Sequence, residues 1–443
     1  MGQGINRRTF AKTSAAAAVS LTALQAARAL GANDRVRLGF IGVANRGGQL
    51  INAFLEHKNV DIVALCDVAR STLESANARL GGKAATYGDF RKMLERPDID
   101  AVVIATPDHW HALQTIAACR AGKDVYVEKP LSITVHEGRK MVEVARETKR
   151  IVQVGLHRRS SQLYAEAAKL FTADGIGKIT VSRCYQLSNM YPNGIGKAAP
   201  SDPPADLDWQ MWLGPRDDRP FQATIAPYKF RWWMPYSSQI ANNGVHFLDA
   251  IRWMTGDLAP SRICALGGRF AVDDDRTIPD TMEATFETPA GRLVVFGQYE
   301  ANGNPAMAQP GWCELRGTQG TAYVNESTVQ IVPERGGQFQ DHRLRMKPRE
   351  LKESGVATDK QGKANLSLTA QHAGNFLDCI RSRQLPHCDV EIGHRSTTYA
   401  LLANIALVTR QCLEWDAKAE RFANCDEAND LLHYEYRKPW RLD

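Results

Sequence analysis

The stretch Val36-Arg-Leu-Gly-Phe-Ile-Gly-Val-Ala-Asn-Arg-Gly-Gly48 decides the fold. Val36 to Ile41 is apolar enough for a short buried strand. It runs into Gly42-x-Ala44-x-x-Gly47, after which Leu50, Ala53, Phe54 and Leu55 recur at helical spacing. Strand, glycine-rich turn and helix in that order open a dinucleotide-binding βαβ unit. Gly42 makes the tight turn, and Gly47 lets the helix close on the strand. Ala44 stands where the usual fingerprint has a second glycine, so a methyl group faces the pyrophosphate position. Asn45 and Arg46 complete the loop at the start of the helix, where free N–H groups hold phosphate.

Working outward, a second apolar run from Asp61 to Cys66 ends in Asp67, 20 residues beyond Gly47. An acid at that distance accepts hydrogen bonds from the adenosine ribose hydroxyls and repels a 2′-phosphate. This favours NAD over NADP, although Arg46 and Arg70 leave a phosphate some counter-charge. Residues 69–80 and 87–95 read as helices. Ala101 to Ala105 is a buried strand that ends at Thr106-Pro107-Asp108-His109-Trp110-His111, and a helix over 109–121 closes at Gly122. Val125-Tyr-Val-Glu128-Lys129-Pro130 is the next strand, stopped by a proline that has no N–H for a ladder. Lys129 thus stands at the carboxyl end of a strand, where open α/β sheets place their ligands. A helix over 136–148 and a strand over 151–154 complete a doubly wound parallel sheet. Asp108, His109 and His111 have no further ligands at matching spacing, so they read as a loop beside the cofactor, with no metal.

Composition narrows the class. With 443 residues and 44% hydrophobic side chains, the chain has room for two domains and large cores. Its net charge is +6, but Arg7, Arg8, Lys12 and Arg28 supply four of those charges within the first 32 residues, leaving +2. A balance so near zero argues against nucleic acid or an anionic membrane as partner. The nine cysteines are scattered without a Cys-x-x-Cys, and read mostly as buried thiols, with a Cys379–Cys388 disulfide left open. Residues 1–32 read as a targeting segment. Arg7-Arg8-Thr-Phe10-Ala-Lys12 precedes an alanine-rich apolar run with small residues at its end, and resembles a twin-arginine export signal. The run is too short to span a bilayer. The expected mature protein is periplasmic and not membrane-bound.

Taken together, Gly42-x-Ala-x-x-Gly47, Asp67, Ala105-Thr106-Pro107-x-x-x-His111, Gly122-Lys-x-Val125, Glu128-Lys129-Pro130 and Val154-Gly-Leu-His157-Arg-Arg159 resemble the Gfo/Idh/MocA oxidoreductases. The likeness runs from about Val36 to the C-terminus. It implies an α/β protein: a Rossmann domain, 33–157, then an α/β domain, 158–443, with a large open, mostly antiparallel sheet. It implies substrate bound between the two, over the nicotinamide, and homo-oligomers, dimers or tetramers, joined through the open sheet face. It also implies cofactor contacts from Gly42, Ala44, Asn45, Arg46, Gly47, Asp67, Thr106, Pro107, His109, His111, Glu128, Lys129 and His157.

The second domain shows strand-like runs at 179–187, 263–267, 282–288, 293–299, 312–315 and 321–324, and helices at 160–171, 372–383 and 394–411. Residues 334–364 read as a polar surface excursion. Leu207-Asp-Trp209-Gln-Met-Trp212-Leu-Gly-Pro215 resembles a loop of exported, sugar-acting relatives, and Phe230-Arg231-Trp232-Trp233 follows. Aromatic faces stack on sugar C–H surfaces, so the tryptophans of these two stretches suit a carbohydrate site, and Arg231 and Trp232 are the candidate contacts. Asn242 and His246 are four apart and would share one helical face. The family pattern at these positions is Asp-x-x-x-His with a catalytic histidine. Here an amide replaces the acid, and an amide does not raise histidine basicity as a carboxylate does.

These residues imply hydride transfer between a sugar or polyol ring hydroxyl and a tightly bound NAD, or NADP as the lesser choice. Lys129, His246 and Asn242 would carry it, with Lys129 stabilising the alkoxide or acting as base. The alternative is a redox-neutral glycosidase or lyase passing through a transient keto-sugar. Relatives of that type carry another tripeptide at Glu128-Lys129-Pro130. A non-enzymatic NAD sensor is a third reading, disfavoured by the presence of both Lys129 and His246.

Overall fold

Two sheets organise the molecule, and the cavity described below lies where they meet. The computed structural model describes residues 35–353 and 366–442. The twin-arginine segment at 1–32 and part of the polar excursion, 354–364, lie outside the described residues.

The first sheet is parallel, with strands β1 (Val36–Ile41), β2 (Val60–Cys66), β3 (Ala85–Tyr87), β4 (Ala101–Ile104), β5 (Asp124–Val127) and β6 (Val152–Val154). Their order is β3-β2-β1-β4-β5-β6, a Rossmann arrangement whose topological switch falls between β1 and β4. The middle strands β4 and β5 are buried on both faces, which accounts for their unbroken apolar runs. The helix expected over 87–95 is shorter, Phe90–Leu94, and β3 precedes it. Three edge residues paired only to β2 carry too little pattern to read as a strand.

The second sheet is mixed and long. From edge to edge it runs Arg349–Lys352, Thr328–Pro333, Gly320–Val324, Cys313–Gly317, Ile179–Asn189, Arg292–Tyr299, Thr281–Thr288, Arg262–Gly268, Leu413–Asp416 and Arg421–Phe422. The short strand Ala301–Asn302 pairs with Ile179–Asn189. Among the described pairs in this sheet, Arg292–Tyr299 with Ile179–Asn189 is parallel and the rest are antiparallel. The excursion after 334 is therefore not wholly irregular, since Arg349–Lys352 forms an edge strand. One face of the sheet is covered by helices Gln162–Thr172, Val245–Thr255 and Val390–Thr409, and the shared core includes Phe286, Phe296, Leu248 and Leu402.

The boundary between the domains is crossed again by the C-terminal residues. Helix Leu368–Ser382 places Ala373, Phe376 and Leu377 in the core of the first domain, beside Phe40, Phe54 and Tyr126. Arg383 pairs with Asp124 at 2.6 Å, and Val154 N donates to the Cys388 carbonyl at 2.9 Å. Cys379 and Cys388 are free thiols. The disulfide joins Cys264, on strand Arg262–Gly268, to Cys412, which immediately precedes the neighbouring strand Leu413–Asp416, the two lying 148 apart in sequence.

Candidate active site

The glycine-rich turn forms as its sequence dictates. Gly42 has φ +81°, and a Cβ there would lie 2.8 Å from the Ala105 carbonyl group. A Cβ on Gly47 would collide with the Gly42 carbonyl oxygen, so this glycine lets helix Asn45–Leu55 close on β1. Ala44 caps that helix without a side-chain hydrogen bond, and its first-turn N–H groups remain available to a phosphate. Asp67 holds the loop to β2: its carboxylate accepts from Val43 N at 2.9 Å and Ala69 N at 3.0 Å. Burial raises the Asp67 pKa, and those two backbone donors oppose the rise.

The Glu128-Lys129-Pro130 stretch is tied to this loop. Arg46 Nε donates to Glu128 Oε1 at 2.8 Å. Glu128 is buried, which works to raise its pKa, yet the field of Arg46 and Lys129 outweighs burial and holds it low. Lys129 follows the end of β5 and is joined to Pro130 by a cis peptide bond. Its Nζ donates to the Asn242 backbone oxygen at 2.7 Å and lies 3.3 Å from Asn242 Oδ1. Burial lowers the Lys129 pKa, while Glu128 and Asp108 pull it back up.

Asn242 and His246 do not sit on one α-helical turn, as their spacing suggests. Residues Ile240–Gly244 form a π-helical turn that becomes the α-helix Val245–Thr255. Wider π winding shifts hydrogen-bond partners along the chain, and such turns mark functional segments of helices. Here the Asn242 carbonyl is taken by Lys129 and its side chain by Asp108, whose two oxygens lie 3.2 and 3.3 Å from Nδ2. His246 is half-buried, with its ring centre 5.3 Å from that of His157. Burial and the cations Arg158 and Lys129 push its pKa well below the usual range. His157 is pushed down to about 3, by burial and then by Arg158. Both rings are neutral at pH 7.

One cavity connects these groups. It is lined from Gly42, Ala44, Asn45, Arg46 and Asp67, past Thr106, Pro107, Asp108, Glu128 and Lys129, to Asn242 and Arg231 of the second domain. Phe90, Trp110, Met211, Trp212, Tyr228 and Phe230 form its apolar walls; Trp212 belongs to the tryptophans expected at a sugar site, while nothing in the sequence marks Phe90 or Tyr228 for this place. Arg231 lies over the Tyr228 ring, 4.1 Å from its centre. Trp212 comes from the 207–215 loop, where Gly214, with φ +54°, leaves room for the Trp110 ring. Trp440, from the C-terminal tail, packs against Phe90 and Trp110 behind this wall.

Five expected contacts lie elsewhere. His109 is buried among aromatic rings, with Nε2 2.9 Å from the Trp212 carbonyl, because the 3-10 turn Asp108–Trp110 points it into the second domain. His111 lies between two backbone carbonyls, Nδ1 2.6 Å from that of Pro130 and Nε2 3.0 Å from that of Thr106, and so braces the two loops from behind. Trp232 is not in the cavity wall, for its indole N–H donates to Glu300 at 3.1 Å. His246 and His157 stand behind Lys129 and Asn242 and do not line the cavity.

Comparison with known proteins agrees with this geometry. An oxidoreductase family model described as an NAD-binding Rossmann fold matches residues 36–156. Two models of the C-terminal domains of the same family match residues 214–323 and 353–442. The chain belongs to the Gfo/Idh/MocA oxidoreductase family. A glycosyl hydrolase family 109 protein of Saccharopolyspora erythraea is 34% identical to this family member over 172 residues, 33% of this chain and only 38% of its own length. An oxidoreductase domain protein from Kribbella flavida superposes with a TM-score of 0.65 at 20% identity, covering 86% of this chain and 99% of that one. A levoglucosan dehydrogenase in complex with NADH gives 0.65 at 18% identity with the same coverage. At such identities the solved structures show that this Gfo/Idh/MocA protein shares their fold.

Proposed function

We propose that this protein transfers a hydride between a ring hydroxyl of a sugar, or related polyol, and a nicotinamide cofactor. The observation that carries the reading is the single cavity running from the glycine-rich loop and Asp67 past Lys129 to Asn242 and Arg231. The residues suit a dinucleotide. The Gly42 turn admits no side chain, the uncapped helix start offers phosphate N–H groups, and Asp67 faces the ribose end. Asp67 favours NAD over NADP. When bound, the nicotinamide supplies the two-electron chemistry. The chain does the rest. Lys129, held by Asn242, donates a hydrogen bond to the substrate oxygen as it gains alkoxide character. Lys129, which lines the cavity and whose pKa burial lowers, is the group placed to take up the hydroxyl proton, whereas His246, the histidine of the family pattern, stands behind it outside the cavity wall. Arg231 and the aromatic walls hold the ring.

The likeness to a glycosyl hydrolase family 109 protein favours a second reading, a redox-neutral glycosidase or lyase using the same cavity. Export to the periplasm is also part of the proposal. The Arg7-Arg8 segment supports it, and so does the Cys264–Cys412 disulfide, since such bonds persist in oxidising compartments. There free NAD is scarce, so the cofactor stays tightly bound. The exposed Leu266 and Leu293 on the uncovered sheet face, with Phe270 in the loop beside them, support a homo-oligomer. The test is to purify the mature protein, record the spectrum of its nicotinamide and screen a panel of sugars and glycosides. Reduction of the cofactor supports the first reading. Aglycone release with no net absorbance change supports the second, and neither outcome with cofactor bound refutes both.

A further inference from the structure

Lys129 is held by one residue, Asn242, through its main-chain and side-chain oxygens, and that side chain is held by one carboxylate. Lys129 Nζ meets Asn242 at the backbone oxygen, 2.7 Å, and at Oδ1, 3.3 Å. Asn242 Nδ2 lies 3.2 and 3.3 Å from the two oxygens of Asp108. Ser237 Oγ donates to Asp108 Oδ2 and fixes the carboxylate in turn. An ionised carboxylate only accepts hydrogen bonds, and an ammonium only donates them. An amide between the two satisfies both in a single orientation, with NH₂ toward Asp108 and C=O toward Lys129.

The chain of contacts crosses the domain boundary twice. Asp108 opens the 3-10 turn after β4 in the first domain, Asn242 sits in the π turn of the second, and Lys129 follows β5 of the first. Asp108 is 3% exposed and forms part of the cavity wall. The other charged groups that act on Lys129 are Glu128, Arg46 and Arg231, and the neutral His246 lies within reach of its field. Glu128 is committed to Arg46 at 2.8 Å. Asp108 is therefore the carboxylate whose hydrogen bonding leads, through Asn242, to the lysine ammonium.

We propose that Asp108 is a positioning residue for Lys129: it orients the Asn242 amide, and through it sets the place and charge of Nζ in the cavity. This rests on the reading of Lys129 as the group that meets the substrate oxygen. It explains why residue 242 is an amide. Two carboxylates at the present 108–242 separation would repel and share a proton. It also predicts that the two side chains are exchangeable. Asp and Asn have the same shape, so Asn at 108 with Asp at 242 keeps every heavy atom in place and moves the negative charge next to Nζ.

The test reads Lys129 itself. Its acetylation by acetic anhydride is followed by peptide mass spectrometry against pH, in the full-length protein with no sugar or nicotinamide added. The outcome is thus independent of whether ring oxidation is the reaction. Melting temperature is recorded for each protein. Asp108→Asn is expected to lower the midpoint for Lys129 by about one pH unit. The double exchange Asp108→Asn with Asn242→Asp is expected to restore it to the wild-type value or above. An unchanged midpoint in folded Asp108→Asn overturns the proposal, and so does a double variant as low as the single one. If Asp108→Asn does not fold, the double exchange decides: it must fold with its midpoint restored, and its failure to fold counts against the proposal.

Discussion

Around the glycine-rich loop the wall of the cavity is shaped by backbone, whereas the wall from the second domain is made of side chains. On the first side, Gly42, Gly47 and the start of helix Asn45–Leu55 set the shape, and Asp67 and Glu128 pin it. On the second, Trp212, Phe230 and Arg231 come from a long insertion between strand Ile179–Asn189 and helix Val245–Thr255, which has its own aromatic core. Backbone walls depend on a few residues that tolerate no side chain. Side-chain walls are spread over many partners, and single changes there should cost less.

The largest expected effect falls where the walls meet. Lys129→Ala should lower turnover about 1000-fold, as removal of an oxyanion donor does, while dinucleotide affinity changes only a few-fold. Steady-state kinetics and a cofactor titration separate the two. On the backbone side, Gly42→Val should cost about 3 kcal/mol through overpacking against Ala105 at a left-handed φ, and abolish dinucleotide binding. Loss of binding with Phe230→Ala as complete as with Gly42→Val would break the distinction between the walls.

Acid should open the side-chain wall. His109 clamps Trp212 at the seam, and burial depresses its pKa to about 3; His372 joins helix Leu368–Ser382 to β6, and burial depresses its pKa to about 4. The unfolded chain takes protons on both near pH 6.5, and the fold excludes them until far lower pH. Stability from these two is therefore complete above pH 7 and falls as pH drops below 6.5, by about 3 kcal/mol per pH unit near pH 5. Chemical denaturation at several pH values measures this slope. Glu128→Gln should cost about 2 kcal/mol by leaving Arg46 without its buried partner, and should loosen dinucleotide binding with little effect on the aromatic wall. Arg231→Lys should give the smallest change, about 1 kcal/mol in substrate affinity, from loss of the planar contact with Tyr228.

The same contrast governs how much the sequence discloses. The Rossmann strands, the Gly42 turn, Asp67 and Lys129 are legible because each is set by residues within one βαβ unit. His109 and His111 follow the same loop as Thr106 and Pro107, but sequence spacing says nothing of the side to which a 3-10 turn sends each ring. The disulfide between residues 148 apart follows from the pairing of Arg262–Gly268 with Leu413–Asp416, a long-range register that the spacing of cysteines does not encode. The helical reading of Asn242 and His246 assumed 3.6 residues per turn. The π turn changes that geometry, and with it brings Asp108, a residue legible only as part of a loop, into contact with Asn242.

Whether Lys129 serves hydride transfer between a ring hydroxyl and a nicotinamide is read by adding ring sugars and polyols singly to the purified protein with its nicotinamide and following reduced-cofactor absorbance. At least one polyhydroxylated ring is expected to reduce the cofactor, and Lys129→Ala to bind the cofactor but leave it oxidised. Reduction that proceeds equally in Lys129→Ala, or cofactor that stays oxidised with every sugar while bound, would contradict that role.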